Sequence, residues 1–115
     1  MEDFMFIFIG GQAKMGDMSP EAMQQHMAKW MAWVEAMSAR GEYKGGHPLK
    51  VGGKSISGAD KIVTDGPFAE LKECVGGYMI VTARDIDHAV TIAMDCPVFE
   101  NDGRVEVRPI MPLGD

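Results

Sequence analysis

The sequence predicts an α+β domain of ferredoxin-like, split βαβ topology with a hairpin elaboration at its centre. Three observations carry this. The segments run in the order strand, helix, strands, strand, helix, strand. Residues 4–9 and 77–82 are apolar or nearly so throughout, the mark of inner strands covered on both faces. Two further segments have helical spacing of apolar residues behind a capping side chain. A chain of 115 residues makes one domain, 1–115, with one core.

The first strand is Phe4-Met5-Phe6-Ile7-Phe8-Ile9, closed by Gly10-Gly11, and a loop is expected to follow as far as Met18. Ser19-Pro20-Glu21 then opens a helix: a hydroxyl that can N-cap, a proline suited to the first turn, and an acid at the positive end of the dipole. The helix runs to about Arg40, and Gly41 stops it. Met23, Met27, Trp30, Met31, Val34 and Met37 are expected to form its buried stripe. Tyr43-Lys44 can begin a strand, and residues 54–57 and 61–64 flank Gly58-Ala59-Asp60 as a hairpin. Residues 77–82 form the second inner strand. Asp85 caps a second helix, with Ile86, Ala89, Val90, Ala93 and Cys96 inward, and Pro97 ends it. Arg104-Val105-Glu106-Val107-Arg108 alternates and makes a last, half-exposed strand.

Two helices cover one face of such a sheet. The other face needs a cover of its own, because the inner strands are apolar on both sides. A second copy of the chain supplies it most simply, so a homodimer with its sheets face to face is expected. The formal net charge of −6 argues against direct nucleic-acid or anionic-membrane partners, which require a basic face. Cys74 and Cys96 match no zinc or redox spacing. The acidic start lacks a signal peptide's basic region, and the apolar run at residues 4–9 is too short to span a bilayer, so a cytoplasmic location is expected. Eleven methionines suit adaptable core filling or a plastic pocket.

Asp65-Gly66-Pro67-Phe68 is the sharpest local feature: a rigid Gly-Pro corner that sets a carboxylate beside an aromatic ring. With Ala69-Glu70 and Lys72-Glu73 behind it, then Gly76-Gly77-Tyr78, Asp85-Ile86-Asp87-His88-Ala89-Val90, Cys96-Pro97 and the segment 105–110, the chain resembles the YCII-related proteins and their DGPF-motif subgroup. The resemblance implies a ferredoxin-like fold that dimerises as an α/β barrel. It also implies a histidine of the first helix paired with an aspartate near the sheet, and a regulatory link to extracytoplasmic-function sigma factors.

His26 is the histidine on the first helix, flanked by Trp30, Trp33 and Met37. It suits general acid–base work, or a boundary role bonded to a backbone carbonyl. Asp65 is its natural partner for tautomer and charge, and it is equally suited to capping its own turn. Trp30, Trp33 and Phe68 would wall a small organic ligand, and Arg108 would hold an anionic group or pair with Glu70. His47, before Pro48 in a glycine-rich loop, can line the mouth of a pocket, His88 is expected to face solvent, and the Tyr78 hydroxyl needs a partner. No metal-ligand spacing, phosphate loop or nucleophile elbow occurs, so no metal or cofactor is implied. Two functions fit: a cofactor-independent enzyme using His26 and Asp65, or a ligand- or partner-binding module without that chemistry.

Overall fold

A computed structural model describes residues 1–66 and 73–113 of the chain. The elements are β1 Glu2–Ile9, α1 Gln12–Gly16, α2 Pro20–Ala39, β2 Tyr43–Pro48, β3 Lys54–Ser57, β4 Ile62–Asp65, β5 Val75–Ala83, α3 Ile86–Ala93 and β6 Arg104–Pro109. A 3-10 turn over Pro97–Asn101 precedes β6. Four strands form one antiparallel sheet in the order β2-β5-β1-β6, and β3 and β4 form a separate hairpin. The architecture is α+β with antiparallel sheets and is consistent with the ferredoxin-like expectation.

Strand pleating sets the core. Phe4, Phe6 and Phe8 alternate along β1 onto the helix side, opposite Val81, Met79 and Gly77 of β5. Phe6, Val81 and Ala83 are fully shielded from solvent. Burying each large apolar side chain there contributes about 1.5–3 kcal/mol. The other face carries Met5, Ile7, Tyr78 and Ile80, and these are only half-buried in one protomer. The inner strands are thus apolar on both sides, as their sequence requires, but a single chain covers one side only.

α2 begins as its sequence dictates. Ser19 accepts a hydrogen bond from the Ala22 N–H at 3.1 Å, and Pro20 takes the first turn. Its buried face differs from the expected methionine stripe. His26, Trp33 and Met37 are buried, with Trp30 and Val34 partly so, whereas Met27 and Met31 are 47% and 61% exposed. The two indoles decide the rotation, because they offer the largest surface to the phenylalanines beneath. Trp33 stacks on Phe6 at 6.2 Å, and Trp30 meets Phe8 edge-on at 5.0 Å.

α3 is capped by Asp85, which accepts from the His88 N–H at 2.8 Å. Ala89, Ile92 and Ala93 face the core, while Ile86, expected to point inward, is exposed. His88 also departs from expectation. Its Nδ1 accepts the Arg84 N–H at 3.1 Å, which leaves the ring proton on Nε2, 3.5 Å from the buried Glu42 carboxylate. Arg40 adds a 2.8 Å ion pair to Glu42, so the end of α2 and the start of α3 converge on one buried carboxylate ahead of β2. α1 replaces part of the expected loop. Gly10 and Gly11 turn the chain into it at φ of 81° and 89°, and five residues are too few to display a helical period.

Cys96 caps the 3-10 turn, its Sγ accepting from the Val98 N–H at 3.4 Å. Burial pushes its thiol pKa from 9.0 up to about 12, against the smaller opposing effect of that bond. The raised value means the folded state favours the neutral thiol. This contribution is complete below the unfolded pKa of about 9 and is lost as pH rises toward 12. Cys96→Ala should therefore cost about 1 kcal/mol at pH 7 through its small cavity. Chemical denaturation in an alkaline series should show that difference shrinking above pH 9.

Candidate functional site

A cavity of about 450 Å³ lies between α2 and the β2–β5 end of the sheet. α2 provides one wall through Met27, Trp30, Met31 and Val34, which recur at helical spacing. Phe8 of β1 and Met79 of β5 provide the base. Met15 from α1, Val98 from the 3-10 turn and Leu49 beyond β2 close the sides. Besides the Trp30 indole, the bordering residues with oxygen or nitrogen in their side chains are Tyr43, His47 and Tyr78, and strand parity turns the side chains of the last two to the opposite face of the sheet.

The floor is bare because two glycines are obligatory there. A Cβ on Gly46 would lie 2.5 Å from the Tyr78 carbonyl oxygen, and one on Gly77 would lie 2.9 Å from the His47 carbonyl oxygen. The backbones of β2 and β5 approach too closely for side chains at these positions. Both glycines fall on the helix-side parity of the sheet, so volume that side chains would fill stays open.

Trp30 is held in its wall by His26. The His26 Nε2 lies 3.0 Å from Trp30 Nε1 and 2.9 Å from Asn101 Nδ2. An indole N–H can only donate. Nε2 must then accept, the ring proton sits on Nδ1, and Asn101 presents its NH₂ to the same lone pair. The imidazole is 4% exposed and joins α2 to the 3-10 turn across 75 residues of sequence separation. Just outside it, Lys29 bonds Glu100 at 2.6 Å and holds that carboxyl below its ordinary range.

The other expected site residues are dispersed. Asp65 ends β4, where its side chain is 74% exposed and pairs with Lys54 across the hairpin. It shares no hydrogen bond with His26, whose Nε2 is taken by Trp30 and Asn101. Trp33 is a core residue rather than a cavity wall: it is 6% exposed and donates from Nε1 to the Ile92 carbonyl at 3.2 Å, pinning α2 to α3. Phe68 and Glu70 lie outside the described residues. Arg108 sits on the sheet face away from the helices, opposite Met5, and makes no ion pair among the described residues. Among the described residues, no three His, Cys, Asp or Glu side chains converge as metal ligands. No helix is long and apolar enough to cross a membrane.

Asn101 was beyond sequence reasoning, since a lone asparagine before a strand carries no signal. Met27 and Met31 did carry one, as methionines at i and i+4 beside the aromatic face. The Tyr78 hydroxyl finds its partner in His47, whose Nδ1 lies 2.8 Å away, a pairing that the sequence did not signal.

The fold and this cavity define a small α+β protein with a concave apolar chamber between its long helix and its sheet. The sequence matches the YCII-related domain over residues 5–114, and the chain belongs to that family. Over 55 residues it is 38% identical to an uncharacterised protein of Rhizobium meliloti (strain 1021), a stretch that is 47% of this chain and 44% of the relative. The match thus spans less than half the relative's length. Among solved structures, the chain is similar to 5-chloro-2-hydroxyhydroquinone dehydrochlorinase from Burkholderia phenoliruptrix AC1100, in complex with 2,5-dihydroxybenzoquinone. The identity is 16%, the coverage 90% of each chain and the TM-score 0.38.

The twice-bonded imidazole makes a direct prediction. His26→Ala leaves the Trp30 N–H and the Asn101 amide without an acceptor and should cost about 3 kcal/mol in chemical denaturation. His26→Gln, whose amide oxygen can accept, should recover part of that loss. It should also restore the Trp30 fluorescence that His26→Ala changes.

Proposed function

We propose that this protein works as a cytoplasmic homodimer that binds a small, largely apolar organic molecule in the cavity between α2 and the sheet. The observation that carries this is the cavity itself. About 450 Å³ falls within the range of small-molecule sites, roughly 300–1,000 Å³. Its walls are methionine, tryptophan, phenylalanine, valine and leucine, with few polar groups to fix orientation. Unbranched thioethers let such walls adapt to related ligands. The half-buried Met5, Ile7 and Ile80 on the open sheet face support a second copy of the chain packed there.

Binding is favoured over His26–Asp65 catalysis. General-base action at Nε2 requires Trp30 and Asn101 to release the lone pair, and Asp65 must leave Lys54 to reach the ring. His26 then acts by positioning Trp30, and Asp65 by bracing the hairpin. The DGPF resemblance alone supports sigma-factor regulation as the setting.

A thermal-shift screen of small aromatic and alicyclic acids and alcohols tests the proposal. A ligand bound only by the folded state raises Tm, by an amount that grows with its concentration over Kd. Met31→Trp, at a 61% exposed position on the rim, fills the chamber at little cost to folding. It should abolish the shift while leaving Tm without ligand nearly unchanged. A screen without hits, or hits that survive Met31→Trp, would overturn the cavity proposal. A monomer by light scattering would overturn the dimer.

A further inference from the structure

The sheet face away from the helices carries a polar arrangement that the cavity does not use. Strand register places its side chains in rows. His47 of β2, Tyr78 of β5, Ile7 of β1 and Glu106 of β6 form one row, and Gly45, Ile80, Met5 and Arg108 form the next. Parity puts these side chains opposite Phe6, Phe8 and Met79, on the open side. His47 and Tyr78 contribute backbone to the cavity's glycine floor and send their side chains the other way.

Three features of this face belong together. The His47 and Tyr78 rings, with centroids 5.7 Å apart, are joined by the 2.8 Å Nδ1–hydroxyl contact. When the imidazole proton is on Nε2, Tyr78 donates to Nδ1 and its oxygen keeps accepting capacity for another hydroxyl. Hydrogen bonds in such a chain strengthen one another. At the far side of the face, Arg104 and Glu106 bond each other at 3.4 Å, while Arg108 makes no ion pair among the described residues. Between the two polar ends lie Met5, Ile7 and Ile80, beside the side-chain gap left by Gly45. Strand spacing of about 4.8 Å and rise of about 3.3 Å per residue put the Cα atoms of Tyr78 and Arg108 about 12 Å apart. The two side chains reaching inward leave a span close to a single ring.

We propose that this face is a second binding site, for a planar hydroxy-acid anion. The carboxylate binds Arg108, the hydroxyl donates to the Tyr78–His47 pair, and the ring lies on Met5, Ile7 and Ile80. One guanidinium and one phenol–imidazole pair at the two ends of an apolar strip discriminate such a ligand from a simple acid or a simple alcohol. Enclosure of the site rests on the dimer of the preceding section, since a second copy packed over this face shields it from water.

Calorimetric titration with 4-hydroxybenzoate, benzoate and phenol tests this. The wild type should bind 4-hydroxybenzoate at least about tenfold more tightly than either fragment. Tyr78→Phe and His47→Asn should weaken 4-hydroxybenzoate and phenol by about tenfold and leave benzoate unchanged. Arg108→Gln should weaken 4-hydroxybenzoate and benzoate and leave phenol unchanged. His47 is exposed, so its variant tests the pair even if Tyr78→Phe perturbs folding. Absence of binding, equal affinity for the three probes, or indifference to all three substitutions overturns the site. Loss of 4-hydroxybenzoate binding in Met31→Trp but not in Tyr78→Phe also overturns it, while leaving the cavity proposal standing. A monomer that retains the full pattern of substitution effects upholds the site and removes only the dimer.

Discussion

One lone pair does much of the organising in this protein. The Nε2 atom of His26 receives the Trp30 and Asn101 N–H groups, at 3.0 and 2.9 Å, inside a nearly closed environment. Neither donor has its place without it. Trp30 is fixed against Phe8 and Trp33, which sets one wall of the cavity and helps set the rotation of α2 on the sheet. Asn101 draws the 3-10 turn onto α2, and Val98 of that turn closes the cavity's side. A buried imidazole nitrogen that accepts from two donors holds both elements that carry them.

The glycines act in the opposite sense. Where His26 fixes a side chain, Gly46 and Gly77 remove two from a position that the pleat aims at α2. The close approach of β2 and β5 excludes any Cβ there, so strand pairing and the open chamber come from the same contact. Phe4, Phe6 and Phe8 fill the corresponding space along β1, and the contrast between packed and bare rows divides the helix side of the sheet into core and cavity.

Much of the fold was legible in the sequence, for local reasons. Ser19-Pro20 and Asp85 start helices where their caps predict. The β3–β4 hairpin forms at Gly58-Ala59-Asp60, and β1 and β5 are the central strands that their apolar runs imply. The candidate site was less legible. His26 and Trp30 stand four residues apart on one helix, so their spacing alone makes them neighbours. Asn101, which completes the arrangement, is 75 residues away and reaches it only through tertiary packing. Trp33 lies three residues beyond Trp30, a net offset of about 60° around the helix. That rotation puts one indole in the core over Phe6 and the other along the cavity.

By itself, the sequence determined the element order, the caps, the inner strands and membership of the YCII-related family, because each depends on local chemistry or on motifs that stay together along the chain. Tertiary structure decided which helix face is buried, which nitrogen of His26 carries the proton, and that Asp65 pairs with Lys54. It also decided that His47 meets Tyr78 on one side of the sheet while Met27 and Met31 line a chamber on the other. These outcomes depend on rotation, register and parity. A shift of one residue along a strand, or of about 100° around a helix, reverses each of them without changing the local pattern that the sequence displays.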